Sequence, residues 1–180
     1  AEADSDGGIK RFIGHFARAN PQVEMLKTNP RALLIFQGPH GYISPSWMRD
    51  RTQAPTWNFQ TAHFLVDINL ADHQEQSAEA IELLLDQVEA DGGQAWRSSE
   101  LGERYSRLLR GVVGFTAEVV DTRVKFKLGQ NERQDVYEDI VAGLQESGNV
   151  DLALTMEATN KRCPHLLNRK NPNEDNQKVG

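Results

Sequence analysis

The strand-forming segments of this 180-residue chain are grouped, not interleaved with helices. Residues 32–37, 42–44 and 55–70 follow one another with no helical pattern between them, and residues 112–120 and 123–128 do the same. Strands in such runs favour an antiparallel sheet or barrel with peripheral helices over a doubly wound α/β fold, which needs a crossover helix after each strand. A further strand is read at Ile9 to Phe16, where apolar and basic residues roughly alternate. Gly38-Pro39-His40-Gly41 reads as a turn between the two short segments, and Asp121-Thr122 as the tip of a hairpin.

Helices are expected in four places. Asn20-Pro21 supplies a cap and a proline at the first helical position, and Asn29-Pro30 ends that helix. Residues 74–90 place Ile81, Leu84, Leu85 and Val88 on one face beside an acidic one, with Asp72 and Glu75 as a capping pair and Asp91-Gly92-Gly93 as the stop. Residues 98–110 gather Leu101, Tyr105, Leu108 and Leu109. A fourth helix opens at Asn131 with Gln134 and lines up Val136, Ile140, Val141 and Leu144.

Composition removes several classes of function. One cysteine, Cys163, rules out an internal disulfide and any multi-cysteine metal site, so a reducing, cytoplasmic setting is expected. Apolar runs are only a few residues long, far short of the roughly 18–20 that span a bilayer as a helix, and no membrane association is expected. The net charge of −6 opposes nonspecific coating of nucleic acid. Residues 160–180 carry a local +3 against −9 for the remainder, and read as a polar, basic, disordered tail behind a domain of residues 1–159.

The catalytic motifs are missing. No His-Glu-x-x-His, Gly-x-Ser-x-Gly, Walker or dinucleotide fingerprint occurs, so no catalytic residue and no metal site is assigned. The helices at 74–90 and 98–110 stand about eight residues apart, too far for a helix-turn-helix. What does stand out is a pair of neighbouring stretches, Ser44-Pro45-Ser46-Trp47 and Pro55-Thr56-Trp57-Asn58, which hold two of the three tryptophans. Flat rings beside short hydrogen-bonding side chains suit a planar cofactor, and they equally suit a proline-shaped turn capped by a core tryptophan. Lys125 and Lys127 share one face of a strand, where they either meet a phosphate or keep an exposed face soluble.

In order along the chain, Gly14-His15-Phe16-Ala17-Arg18-Ala19-Asn20-Pro21-Gln22, Gly38 to Trp47, Pro55-Thr56-Trp57-Asn58-Phe59, Leu109-Arg110-Gly111-Val112-Val113-Gly114-Phe115 and Lys127-Leu128-Gly129-Gln130-Asn131 resemble the FMN-binding negative transcriptional regulators, the PaiB-like family. The resemblance implies a mainly β fold, the FMN-binding split β-barrel with peripheral α-helices, and a homodimer holding FMN at its interface. It implies Arg18 and Asn20 near the phosphate, with Ser44, Ser46, Trp47, Thr56, Trp57 and Asn58 lining the flavin pocket. Lys127 and Gln130 would join from the late strand. Met48, Phe59 and Gly129 stand where Tyr, Tyr and Ser are common in the family, which removes three hydroxyls from the expected pocket. Family members carry strands ahead of the Gly-His-Phe segment, so the first 159 residues are expected to be a barrel core lacking its first strands. DNA as a partner follows from the resemblance only. The other readings are a flavin-dependent oxidoreductase of the pyridoxamine-phosphate-oxidase class, and a haem-binding split barrel with His15, His40 or His63 as axial ligand.

Overall fold

The computed structural model describes residues 1–3, 5–89 and 96–162. Its strands are β1 (Glu2–Ala3), β2 (Ile9–Ala17), β3 (Arg31–Ile43), β4 (Thr56–Leu70) and β5 (Val112–Lys127). Its helices are α1 (Pro21–Thr28), α2 (Gln74–Glu89), α3 (Glu103–Leu109), α4 (Gln134–Glu146) and α5 (Val150–Arg162). The strands form one sheet in the order β1-β2-β5-β4-β3. β2 runs antiparallel to β5, from Arg11 opposite Glu118 to Ala17 opposite Val112. This is the mainly β, antiparallel architecture with peripheral helices that the grouping of strand segments predicts.

Two expected turns are absent. Gly38-Pro39-His40-Gly41 lies inside β3, which continues unbroken from Arg31 to Ile43. A proline without an N–H is tolerated there because β3 is the last strand of the sheet. The glycines serve close approach: a Cβ on Gly38 would lie 2.6 Å from Gln60 Oε1, and one on Gly41 would collide with the Asn149 amide. Likewise Asp121-Thr122 is no hairpin tip, and β5 passes straight through it. Tight two-residue hairpins need positive φ at a central residue, and no non-glycine residue among those described has one.

The helix ends also differ in detail. At α2 the return bond comes from Gln76, whose Oε1 accepts from Asp72 N at 2.9 Å, and not from Glu75. The fourth expected helix starts at Gln134 after an Arg133 cap that makes no side-chain capping bond, so Asn131 is outside it. The region read as a helix over 98–110 divides into a 3-10 turn at Ser98–Leu101 and α3, broken by Gly102 with φ +53°. The expected stop at Asp91-Gly92-Gly93 and the lone Cys163 lie outside the described residues, as does most of the 160–180 tail. α5, which the sequence reading missed, takes in the first three residues of that tail.

By contacts the chain forms two compact units, Ala1–Leu34 with His63–Thr122, and Ile35–Ala62 with Arg123–Gly180. In the first, Phe64, Val66, Ile68, Val113 and Ala117 are buried sheet residues, and Phe12 meets Phe64 edge to face at 4.8 Å. Ser77 of α2 holds Gly114 N at 2.9 Å, where any Cβ would strike the helix backbone. In the second, α4 and α5 supply most of the core: Ile140, Leu144, Leu152 and Met156 pack with Ile43, Met48 and Leu128. Burying each such side chain stabilises the fold by about 1.5–3 kcal/mol. No helix among the described residues is long and apolar enough to cross a membrane.

Candidate functional site

Five of the expected site residues are occupied with local structure. Arg18 donates from Nε to Arg110 O at 3.0 Å and from Nη2 to Val112 O at 2.8 Å, which ties the end of β2 to the start of β5. Asn20 caps α1 by accepting from Gln22 N at 3.0 Å, as expected for Asn ahead of a first-turn proline. Ser44 caps a 3-10 turn at Pro45–Trp47, accepts from Ser46 N at 3.2 Å, and lies 2.7 Å from the Ser46 hydroxyl. Gln130 accepts from Leu128 N at 2.8 Å and donates to Phe126 O at 3.0 Å, closing the chain reversal after β5.

The two tryptophans part company. Trp47 packs against the core of the second unit, and its ring occupies the space over Gly143 of α4, where a Cβ would sit 2.5 Å away. This is the proline-shaped turn with a core tryptophan. Trp57, by contrast, is 50% exposed. Its ring lies 5.8 Å from His40 at an interplanar angle of 26°, and 6.5 Å from Tyr42 at 56°. Beside it in sequence, Thr56 accepts a hydrogen bond from the Lys127 ammonium. Lys125 lies 5.9 Å from the Phe59 ring centroid. Asn58 points the other way: it is 1% exposed, its Nδ2 meets Met156 Sδ at 3.5 Å, and its Oδ1 has no hydrogen-bond partner.

Thus in the second unit Trp57 gathers His40 and Tyr42, two residues the motif reading did not place in the pocket, while Thr56, its neighbour in sequence on β4, pairs with Lys127. The signal for them was present, since an aromatic at 40 and another at 42 share a face in an unbroken strand, but the turn reading of Gly38 to Gly41 hid it. An ammonium with a hydroxyl suits an anion, and exposed rings suit a flat ligand. Among the haem alternatives, His15 belongs to β2 and His63 to β4 in the first unit, while His40 belongs to the second. No group of three or more His, Cys, Asp or Glu that could hold a metal ion occurs among the described residues.

The segment after Trp47 is held by charge. Arg49 N and Nε both bind the Asp139 carboxylate, at 2.8 and 2.9 Å, and Arg133 Nη2 reaches Asp50 at 2.9 Å. Asp50 also accepts from Thr52 Oγ1 at 2.6 Å and Gln53 Nε2 at 2.7 Å. The Thr52 hydroxyl, then Gln53, the Thr52 amide and Arg133 hold the Asp50 carboxyl far below its ordinary 3.8. Asp139 is lowered too, first by the Arg49 amide and then by its side chain. Lowered carboxylates stabilise the fold above their unfolded pKa and lose that contribution as pH falls through the folded one. Relative to the unfolded chain at the same pH, hydrogen exchange at residues 48–53 should therefore be slow at neutral pH, with relatively faster exchange setting in as pH falls below about 3.8. Asp50→Asn should show the fast exchange already at neutral pH, and equal protection in parent and variant would refute the pinning.

The family described as "Putative FMN-binding domain" matches residues 2–121. That stretch includes Trp57 and His40 and stops before Lys127. "Protease synthase and sporulation protein PAI 2" of Bacillus subtilis is 35% identical over 142 residues, covering 77% of this chain and 66% of that protein. The uncharacterized protein YKL070W of Saccharomyces cerevisiae is 42% identical over 62 residues, 32% of this chain and 37% of that one. The chain thus spans less than two thirds of either relative. The flavocytochrome Anf3 of Azotobacter vinelandii superposes with a TM-score of 0.47 at 13% identity, over 66% of this chain and 50% of that chain. With 2–121 of its 180 residues matched, the chain belongs to the FMN-binding domain family, and FMN is the cofactor that family membership assigns to it.

Proposed function

We propose that this chain is an FMN-binding protein of the negative transcriptional regulator type, holding the flavin on the exposed face of its second unit at a homodimer interface. The observation that carries the reading is the pairing of Lys127 with Thr56 next to a half-exposed Trp57. Lys127 and Thr56 would hold the phosphate, the one supplying charge and the other a hydroxyl. Trp57 would wall the isoalloxazine. Ser44, Ser46 and Gln130 act on the pocket by fixing the backbone of the second unit, through the bonds described above, whereas Arg18 and Asn20 hold local structure within the first unit. Asn58 and Trp47 anchor β4 and the Pro45 turn on the core formed with α4 and α5. When bound, FMN supplies one- and two-electron redox chemistry.

The dimer is supported by what the second unit leaves uncovered. Ile35 and Phe36 of β3 and Val124 and Phe126 of β5 are all about half exposed or more. Val124 and Phe126 share one face of β5, and neighbouring exposed apolar side chains mark an interaction surface. Phe126→Asp should convert a dimer to a monomer by analytical ultracentrifugation while leaving circular dichroism unchanged. A dimer that persists unaltered would place the interface elsewhere. The regulatory role comes from the family resemblance, and the name of the Bacillus relative supports a connection with protease and spore formation.

The experiment that tests the whole reading is the visible spectrum of the purified chain, with FMN added in equimolar amount and excess removed. A retained flavin spectrum supports it, and a colourless protein that binds no FMN overturns it. Turnover of a nicotinamide reductant by the loaded protein would favour the oxidoreductase reading. A salt-dependent shift of promoter DNA without turnover would favour the regulator.

A further inference from the structure

We propose that His40 is a ligand-contacting residue: its imidazole and the Trp57 indole form one continuous stack against which the flat ring system of the flavin lies. This rests on the flavin reading above, and it adds a residue that the family motif does not assign to the pocket. Three observations carry it.

First, the rings are already stacked, with centroids 5.8 Å apart and planes 26° from parallel. Both residues are exposed, so the stack is not part of the core. Second, the backbone that presents His40 is fixed on both sides. The His40 carbonyl accepts from Asn149 Nδ2 at 3.1 Å, Gly41 lies directly against that same amide, and Gly38 lies against the Gln60 side chain with no room for a Cβ. Pro39 fixes φ between them. A ring presented from a backbone held this firmly loses less entropy when a ligand docks on it than one carried on a mobile loop, which is the physical value of preorganisation. Third, the imidazole nitrogens make no hydrogen bond to any described residue, so no structural bond competes with a ligand for the ring.

The Gly38-Pro39-His40-Gly41 sequence thereby acquires a role. Its glycines admit Gln60 and Asn149, its proline stiffens the strand, and its histidine extends the Trp57 surface. Lys127 serves a different end of the ligand, because it acts on charge and His40 acts on the ring. That difference separates the two experimentally.

The test is isothermal titration of the full chain with FMN and with riboflavin, which has the same ring and no phosphate. His40→Ala should weaken both ligands by the same factor, about five- to tenfold. His40→Phe, which keeps a ring in place, should stay within about twofold of the parent for both. Circular dichroism of the two variants should match that of the parent. Unchanged affinity in His40→Ala overturns the proposal while leaving the flavin reading intact. A loss confined to FMN also overturns it, since the imidazole would then be serving the phosphate. If the parent chain binds neither flavin, the reading itself fails and the proposal falls with it.

Discussion

Trp47→Ala should lower folding stability by about 3 kcal/mol, whereas Trp57→Ala should leave stability nearly unchanged and act on flavin binding. Trp47 fills the surface of α4 at Gly143 and borders the cluster of Ile140, Leu144 and Met48. Removing a large ring from such a seat loses its transfer free energy and leaves a cavity that the rigid helix cannot close. For a chain of this size the loss corresponds to a drop in melting temperature of about 6–12 °C. Thermal unfolding followed by circular dichroism checks it. A melting temperature within about 1 °C of the parent would mean that α4 does not depend on this ring.

The second large effect concerns Lys127. Lys127→Ala should weaken FMN about 10- to 100-fold and riboflavin hardly at all, because a charge-assisted bond to phosphate contributes about 1.5–3 kcal/mol. The side chain is exposed, so the effect should shrink at high salt as the phosphate and ammonium are screened. Thr56→Ala should reproduce a smaller part of the loss, since it removes the hydroxyl that holds the ammonium in place. Equal weakening of FMN and riboflavin by Lys127→Ala would move the phosphate away from this residue.

Much of the fold was legible because its signals are local. The proline at the start of α1, the 3.6-residue apolar repeat of α4, and the long β-branched and aromatic run of β4 each point to one structure without outside help. The repeat of α2 marks a helix but not its buried face, since Leu84 and Val88 are exposed and Ser77 and Ala80 are the buried positions. What the sequence hid depends on distant partners. β3 looks like two short strands and a turn until Gln60 and Asn149 explain its glycines. β5 looks like a hairpin because Asp121 and Thr122 are polar, yet neither takes the positive φ that a tight turn demands. α5 has no clear stripe, with Leu154 exposed beside Leu152, Ala153 and Met156, and it is recognisable only through its packing on α4.

The candidate site followed the same rule. Two tryptophans beside hydroxyl residues were indistinguishable in sequence, and only the Gly143 seat separates the structural one from the exposed one. Asn58 carried the polarity expected of a cofactor contact, but β4 turns it inward to the sulfur of Met156.

Pro39 has a consequence beyond the site. β3 ends the sheet, and a thirteen-residue border strand with exposed Leu33, Ile35 and Phe36 is a template on which other chains could grow without limit. A residue that cannot donate interrupts the row of free amides near its middle, so an incoming strand finds two short stretches in place of one long one. Strand addition along this border is thereby discouraged, while its apolar side chains stay exposed.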